Sequence, residues 1–256
     1  DHVDALLYLG GLYAAGRGTS RDPLTAASWY ERAARAGSTA GAYNLGLLYY
    51  RGAGLQQSYP TALRWFEQAA VGGDPRAAYV SGLMYVHGKG TRVDVTAGFR
   101  AIAGAAQAGI PEAQWDLGVL YATGIGVTRS DADAALWYRR AADQGVIAAQ
   151  SALGIMVAKG SGVDRNVAEA VSLLTKAAKG GDIPATEQLA YMYATGDGVP
   201  RDWGQAVALY SAAAQRDSAP AQYNLANLLM EPPQGEPDYA SVIRWLSRAA
   251  PSEVRA

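Results

Sequence analysis

The apolar positions of the chain fall in short clusters at helical spacing, and the clusters recur. In the stretch from Ala113 to Tyr121, the residues Ala113, Leu117, Leu120 and Tyr121 stand at i, i+4, i+7 and i+8. That spacing puts them on one stripe of an α-helix. Leu45, Leu48 and Tyr49 repeat the stripe, with Gly41 in the place of Ala113. Tyr13, Tyr49, Tyr85, Tyr121 and Tyr193 lie on a 36-residue grid whose other slots hold Val157 and Leu229. Ala33-Ala34 keeps the same step through Ala69-Ala70, Ala105-Ala106, Ala141-Ala142, Ala177-Ala178, Ala213-Ala214 and Ala249-Ala250. A unit begun at Ala5 fills the chain to Ala256 in seven copies, 5–40, 41–76, 77–112, 113–148, 149–184, 185–220 and 221–256, without insertion or deletion. One such unit buries its apolar face only against its neighbours, so the register predicts a tandem array. The expected fold is all-α: a right-handed α-α superhelix, or solenoid, of seven helix-turn-helix repeats forming one domain over 1–256.

Polar and glycine positions punctuate the same grid. Gly16, Gly52, Gly88, Gly124, Gly160 and Gly196 follow the first helix of each unit, and Gly18, Gly54, Gly90, Gly126, Gly162 and Gly198 stand two residues later. Glycine just past a helix takes a positive φ without a Cβ clash, so these positions read as helix stops. Asp22-Pro23 reads as an N-cap followed by proline at the first helical position. The second helix that it opens turns Ala26, Trp29, Tyr30 and Ala33 inward and stops at Gly37. Gly10, Gly46, Gly82, Gly118 and Gly154 fall inside first helices, where glycine costs about 1 kcal/mol relative to alanine. The expected compensation is close packing, with an aromatic side chain of the partner helix lying against bare backbone.

Ala113, Leu117-Gly118, Tyr121, Gly124, Gly126-Val127, Ala134, Trp137-Tyr138 and Ala141-Ala142 form a string that resembles the Sel1-like repeat, a relative of the tetratricopeptide repeat. The stretch from Ala185 to Ala214 resembles it again, with Ala190 in place of the glycine. The likeness runs over essentially the whole chain. It implies an α-solenoid that binds other proteins, of a kind commonest in bacterial envelopes, where such repeats serve in signalling, exopolysaccharide assembly, host contact or neutralisation of secreted toxins. Some relatives bridge the two helices of each repeat with a cysteine pair. This chain has no Cys, so its stability is expected to rest on packing alone.

Composition narrows the chemistry. Without cysteine there is no disulfide scaffold, thiolate zinc site or cysteine nucleophile, and two histidines leave little for a histidine-based metal site. The balance of 22 Lys+Arg against 23 Asp+Glu provides no overall basic field for nucleic acid. No apolar run approaches the roughly 20 residues of a membrane span. Gly124-Ile125-Gly126 lacks the preceding strand and third glycine of a dinucleotide fingerprint, and no Gly-Lys-Ser/Thr follows it. Asp131 and Asp133 open a second helix, where acidic residues favour the helix dipole without any catalytic part. No cofactor, metal or nucleophile-base pair is expected, and the chain reads as non-enzymatic.

Binding is expected along a concave groove lined by the first helices. One column of groove positions is Leu7, Tyr43, Tyr79, Trp115, Ser151, Glu187 and Tyr223; a second holds Tyr50 and Met230, beside Arg51 and His87. The candidate partner-binding residues are Tyr43, Tyr50, Arg51, Tyr79, His87, Trp115, Glu187 and Tyr223. Tyr and Trp give large contact area for little lost entropy. The competing reading is that tyrosine in this column only shields the interface between helices. His87, near a helix end, reads as a capping or solvent-facing residue.

Two departures from the pattern stand out. The second helix of the third repeat carries Gly98 and Gly104, with Ala101-Ile102 for the Trp-Tyr pair, and is expected to be a weak stretch or hinge unless closer packing compensates. The last repeat replaces its Gly-x-Gly turn with Met230-Glu231-Pro232-Pro233-Gln234-Gly235, and Pro251 cuts its second helix short. The opening Asp1-His2-Val3, without an initiator Met or signal peptide, reads as a processed or trimmed form. The functional expectation is a monomeric protein-interaction scaffold, periplasmic or otherwise exported as the resemblance implies. Its partner is another protein, either a secreted effector toxin that it neutralises or a signalling component of the envelope. The alternative is an envelope factor that binds polysaccharide or peptidoglycan through an aromatic groove.

Overall fold

The computed structural model describes residues 2–250. Among them are fourteen α-helices and no strand, and twelve of the helices pack as six consecutive pairs. The first helices are α1 (Val3–Ala15), α3 (Thr39–Arg51), α5 (Pro75–His87), α7 (Pro111–Thr123), α9 (Ile147–Lys159), α11 (Ile183–Thr195) and α13 (Ala219–Met230). The second helices are α2 (Pro23–Arg35), α4 (Tyr59–Val71), α6 (Val95–Gln107), α8 (Asp131–Asp143), α10 (Val167–Lys179), α12 (Trp203–Gln215) and α14 (Tyr239–Ala249). The chain divides between Ser130 and Asp131 into two compact units, one holding α1 to α7 and the other α8 to α14. Pro251 lies outside the described residues.

Helix boundaries follow the local chemistry. Asp22 caps α2 by accepting from the amides of Leu24 and Thr25, both at 3.1 Å, with Pro23 in the first turn. Those hydrogen bonds, first that from the Thr25 hydroxyl, hold the Asp22 carboxyl below its usual range. At the far end of α3, Gly52 adopts φ +65° and returns its amide to the Leu48 carbonyl, ending the helix in a left-handed cap. Two residues on, Gly54 combines φ +76° with a close approach: a Cβ there would lie 2.5 Å from the Cβ of Pro23 in the preceding pair. The second turn glycine therefore serves the stacking of one pair on the next as well as the turn. Asp217 adopts φ +63° at the grid position held by Gly37 and Gly181 in other repeats, a conformation that non-glycine residues visit far less readily.

Packing inside each pair bears out the glycines within the first helices. A Cβ on Gly10 would come 2.5 Å from the Tyr30 ring, and one on Gly46 2.8 Å from the Phe66 ring. The same position meets Ile102 at Gly82 and Leu174 at Gly154, so at these four positions the partner is a large side chain that is not always aromatic. Ala26, Tyr30 and Ala33 are buried as the stripe requires. Trp29 is half-buried, with the Arg32 guanidinium 4.7 Å from its ring centroid. Ala113, Leu117 and Leu120 are buried, and Tyr121 meets Phe99 edge-on with centroids 5.5 Å apart.

Buried glutamines join one pair to the next. Gln114 donates to the Ala106 carbonyl at 3.2 Å and Gln222 to the Ala214 carbonyl at 3.1 Å. Each reaches the second alanine of an Ala-Ala pair at the end of the preceding second helix, so these buried amides are satisfied. The two glycines of α6 divide. A Cβ on Gly98 would meet Val86 Cγ2 at 2.5 Å and the Gly82 carbonyl oxygen at 2.9 Å, so Gly98 permits a tight approach to α5. Gly104 is exposed and has nothing within 4 Å of its Cβ position.

Candidate functional site

The groove column consists largely of ties between successive first helices. Tyr43 on α3 is half-buried, packs its ring 5.7 Å from Phe66, and has the Arg76 guanidinium of α5 4.5 Å from its centroid. Arg76 is fixed in turn by a fork onto Asp74, with Nε to Oδ1 at 3.1 Å and Nη2 to Oδ2 at 2.6 Å. Tyr79 on α5 is half-buried and donates its hydroxyl to Asp116 Oδ2 on α7 at 2.7 Å. In the second unit, Ser151 on α9 donates to Asp182 Oδ1, the cap of α11, at 2.7 Å. Glu187 on α11 accepts from the hydroxyl of Ser218, the cap of α13. Tyr223 on α13 has no described first helix after it and is 55% exposed. Trp115 on α7 is half-buried.

Burial and charge set the protonation of this face. Asp116 is pushed above the usual carboxylate range by burial, against the opposing hydrogen bond from Tyr79 and the field of His87 when that histidine is protonated. Burial and the Asp116 carboxylate raise the Tyr79 phenol, which keeps its proton and its donor role. Asp74 lies below the ordinary range: burial pushes it up, but the Arg76 side chain and the amides of Arg76 and Ala77 outweigh that push.

At the C-terminal ends of the first helices the candidates are less engaged. Arg51 ends α3 and His87 ends α5, both exposed. Tyr50 is half-buried between Tyr59 and Phe66, at centroid distances of 5.2 and 6.4 Å. Lys89 donates to the Tyr50 hydroxyl at 3.0 Å and stands 5.5 Å from the centre of the ring. The first unit thus presents Arg51, His87 and Lys89 as exposed basic groups beside half-buried tyrosines.

Two cavities in the second unit escape the sequence pattern. One of about 230 Å³, at the ends of α11 and α13, is lined by Ala194, Arg201, Tyr210, Asn224, Asn227, Leu228 and Glu231. Arg201 is oriented there by its Nε bond to the Ala194 carbonyl at 2.8 Å. Burial pushes the Tyr210 phenol up to about 12, with the field of Glu187 adding to it, so the hydroxyl remains a donor. The other cavity, about 380 Å³, lies between α10 and α12 over α11, with Thr175, Lys179, Tyr193, Gln205, Leu209 and Arg216 in its lining. A composition signal for the first existed in Asn224 and Asn227, but a cavity made by three helices has no contiguous motif. Among the described residues, no three His, Cys, Asp or Glu side chains converge to hold a metal ion. No helix among the described residues is long and apolar enough to cross a membrane.

Comparison with known proteins agrees with this architecture. The Sel1 repeat family model matches residues 3–38, 39–74, 75–100, 111–146, 147–182, 183–218 and 219–250. Among solved structures, c5321, described as a protective antigen present in uropathogenic Escherichia coli strains and displaying an SLR fold, is 35% identical, with a TM-score of 0.85 over 97% of this chain and 53% of that one. A Sel1 repeat protein from Oxalobacter formigenes is 33% identical, with a TM-score of 0.72 over 99% of this chain and 73% of that one. The chain therefore spans about half the length of the first of these. No curated protein matches it. With seven matched repeats, the glycine-lined helix pairs and these likenesses in agreement, the chain belongs to the Sel1 repeat family and has its all-α solenoid fold.

Proposed function

We propose that the chain is a non-enzymatic scaffold that holds a protein partner against the face formed by its first helices. Sel1 repeats are a scaffold fold for protein–protein interaction. The observation that carries the more specific reading is the cavity over Tyr210. Asn224 and Asn227 supply amide donors and acceptors, Arg201 a cation and Glu231 an anion, around an apolar floor that includes Leu228. A peptide backbone presents the matching alternation of N–H and C=O groups. Tyr223 stands at i, i+4 from Asn227 on α13 and offers an exposed ring beside the cavity. Within the first unit, Arg51 and His87 are candidate partner contacts alongside Tyr43, Tyr50, Tyr79 and Trp115; within the second, Glu187 is one.

Two kinds of protein partner fit this reading: a secreted effector toxin that the chain neutralises, and a signalling component of the bacterial envelope. An exported or periplasmic location accompanies both. The polysaccharide alternative has less support, because Arg76 and Lys89 stand over the Tyr43 and Tyr50 rings on which a sugar would stack. Affinity capture from a bacterial envelope extract separates these readings. A toxin partner, burying about 1,200–2,000 Å², is expected to co-purify at nanomolar affinity, whereas a sensor domain binds in the micromolar range. Capture of no protein, together with quenching of tryptophan fluorescence by peptidoglycan or polysaccharide fragments, would replace the protein reading with the carbohydrate one.

A further inference from the structure

Four second helices carry tryptophan at one grid position: Trp29, Trp65, Trp137 and Trp245. Trp65 shows what the indole does there, packing against the cluster that holds Ala26, Ala27 and Tyr30 of the preceding second helix. On α12 the same position is Leu209, and the cavity of about 380 Å³ between α10 and α12 lies beside it. Ala212, one turn on, stands where five other repeats have Arg32, Gln68, Arg140, Lys176 and Arg248. Thr175 and Gln205 occupy the positions at which Arg139 and Glu169 join α8 to α10 by an ion pair. The cavity therefore has a cause in the sequence: a ring, a long side chain and an ion pair each give way to something shorter or uncharged. Helices α6 and α10 also lack the tryptophan, but α10 keeps Lys176 and the Arg139–Glu169 pair, and α6 has no basic residue in its last turn.

One end of the cavity is cationic. Lys179 ends α10, and Arg216 directly follows α12. Arg216 stands where the preceding repeats have Ala36, Gly72, Ala108, Gln144 and Gly180, and it donates to the Gly181 carbonyl just past α10. A cation at a helix C-terminus favours the helix dipole. That accounts for Lys179 alone, but not for an arginine reaching back from the next repeat to the same helix end. No Asp or Glu lines the cavity. The nearest acids in sequence are engaged elsewhere: Asp182 caps α11 and accepts from Ser151, and Asp217 pairs with Arg248. Leu209 and Arg216 are seven residues apart, about 10 Å along the helix axis. Buried Leu189 and Ala213 lie in the lining beside them.

We propose that this cavity binds a small aromatic acid, with its ring on Leu189 and Leu209, where other repeats hold an indole, and its carboxylate on Arg216 and Lys179. A guanidinium offers parallel N–H donors that match a carboxylate, and a neighbouring ammonium adds charge without a fixed direction. The volume falls at the small end of the range for ligand pockets, which suits one bicyclic ring and a short acidic arm. Thr175 and Gln205 supply polar groups for a heteroatom on the ring. This goes beyond the protein-partner reading and does not depend on it, because the cavity lies between second helices.

NMR titration of the isotopically labelled 256-residue chain with indole-3-propionate, its neutral amide and inorganic phosphate tests the proposal. The acid is expected to saturate with a Kd of about 1 mM or tighter, shifting the amides around Leu209 and Arg216. The neutral amide and phosphate are each expected to bind at least about tenfold more weakly. Leu209→Trp, which restores the residue of other repeats, is expected to cost at least about tenfold in affinity for the acid. Lys179→Gln with Arg216→Gln is expected to cost as much, and it alters only exposed side chains, so the fold seen by circular dichroism stays unchanged. Equal binding of the acid and its amide, phosphate binding as tightly as the acid, or full affinity in either variant would overturn the assignment. So would the absence of saturable binding by the acid.

Discussion

Asp74 shows how much one side chain can do in this repeat. It is buried, caps α5 through the amides of Arg76 and Ala77, and fixes the guanidinium that covers Tyr43. Its folded-state pKa is depressed, so its stabilisation is present above the unfolded value of about 4 and is lost as pH falls through the folded value. Asp74→Ala is therefore expected to cost about 1–2 kcal/mol at neutral pH. In thermal melts the deficit against wild type should shrink below about pH 4. A deficit of the same size at pH 7 and in strong acid would mean that the loss comes from packing and not from the charge.

The same column explains where sequence reading stopped at this scale. Tyr43–Arg76, Tyr79–Asp116, Ser151–Asp182 and Glu187–Ser218 all join neighbouring first helices, yet each uses different chemistry. Position on the 36-residue grid locates such a contact but does not reveal its partner, because the reciprocal residue changes from repeat to repeat. Tyr43, Tyr79 and Glu187 therefore read equally as groove residues and as ties. Tyr223 differs from them only in having no described first helix beyond it.

At the scale of the element, helix ends and helix-interior glycines were legible because each has one dominant physical cause. A positive φ or an absent Cβ selects glycine whatever lies around it, as at Gly52 and Gly46. Helix α6 was harder, since the sequence shows two glycines and not what faces them. Gly98→Ala is expected to destabilise by about 1–3 kcal/mol, because the methyl group would meet Val86 and the Gly82 carbonyl. Gly104→Ala is expected to stabilise by about 0.5–1 kcal/mol, since that site is open and gains only helix propensity. Urea titrations of the two variants decide the matter. Equal effects of one sign would show that α6 responds to its glycine content as a whole, as a hinge would, and not to the contact at Gly98.

At the scale of the whole molecule, a tandem array converts small conserved intervals into extended surface, and its function lies in what that surface holds. Fold class and repeat number were readable because seven copies reinforce one another. The cavity over Tyr210 was not, since it arises where α11, α12 and α13 meet, and Asn227 replaces the Leu47, Leu83, Val119 and Ile155 of other repeats. Binding at the α13 end of the first-helix face separates from binding at the cavity between α10 and α12, which Lys179 lines. The decisive measurement is the Kd of the captured protein for wild type, for Tyr223→Ala with Asn227→Ala, and for Lys179→Ala, by isothermal titration calorimetry on folded variants. Loss of both groups on α13 should weaken binding at least about tenfold, or about 1.4 kcal/mol, with Lys179→Ala within twofold of wild type. Unchanged affinity in the α13 double variant, with a loss in Lys179→Ala, would place the partner on the second helices and contradict the first-helix face as its seat.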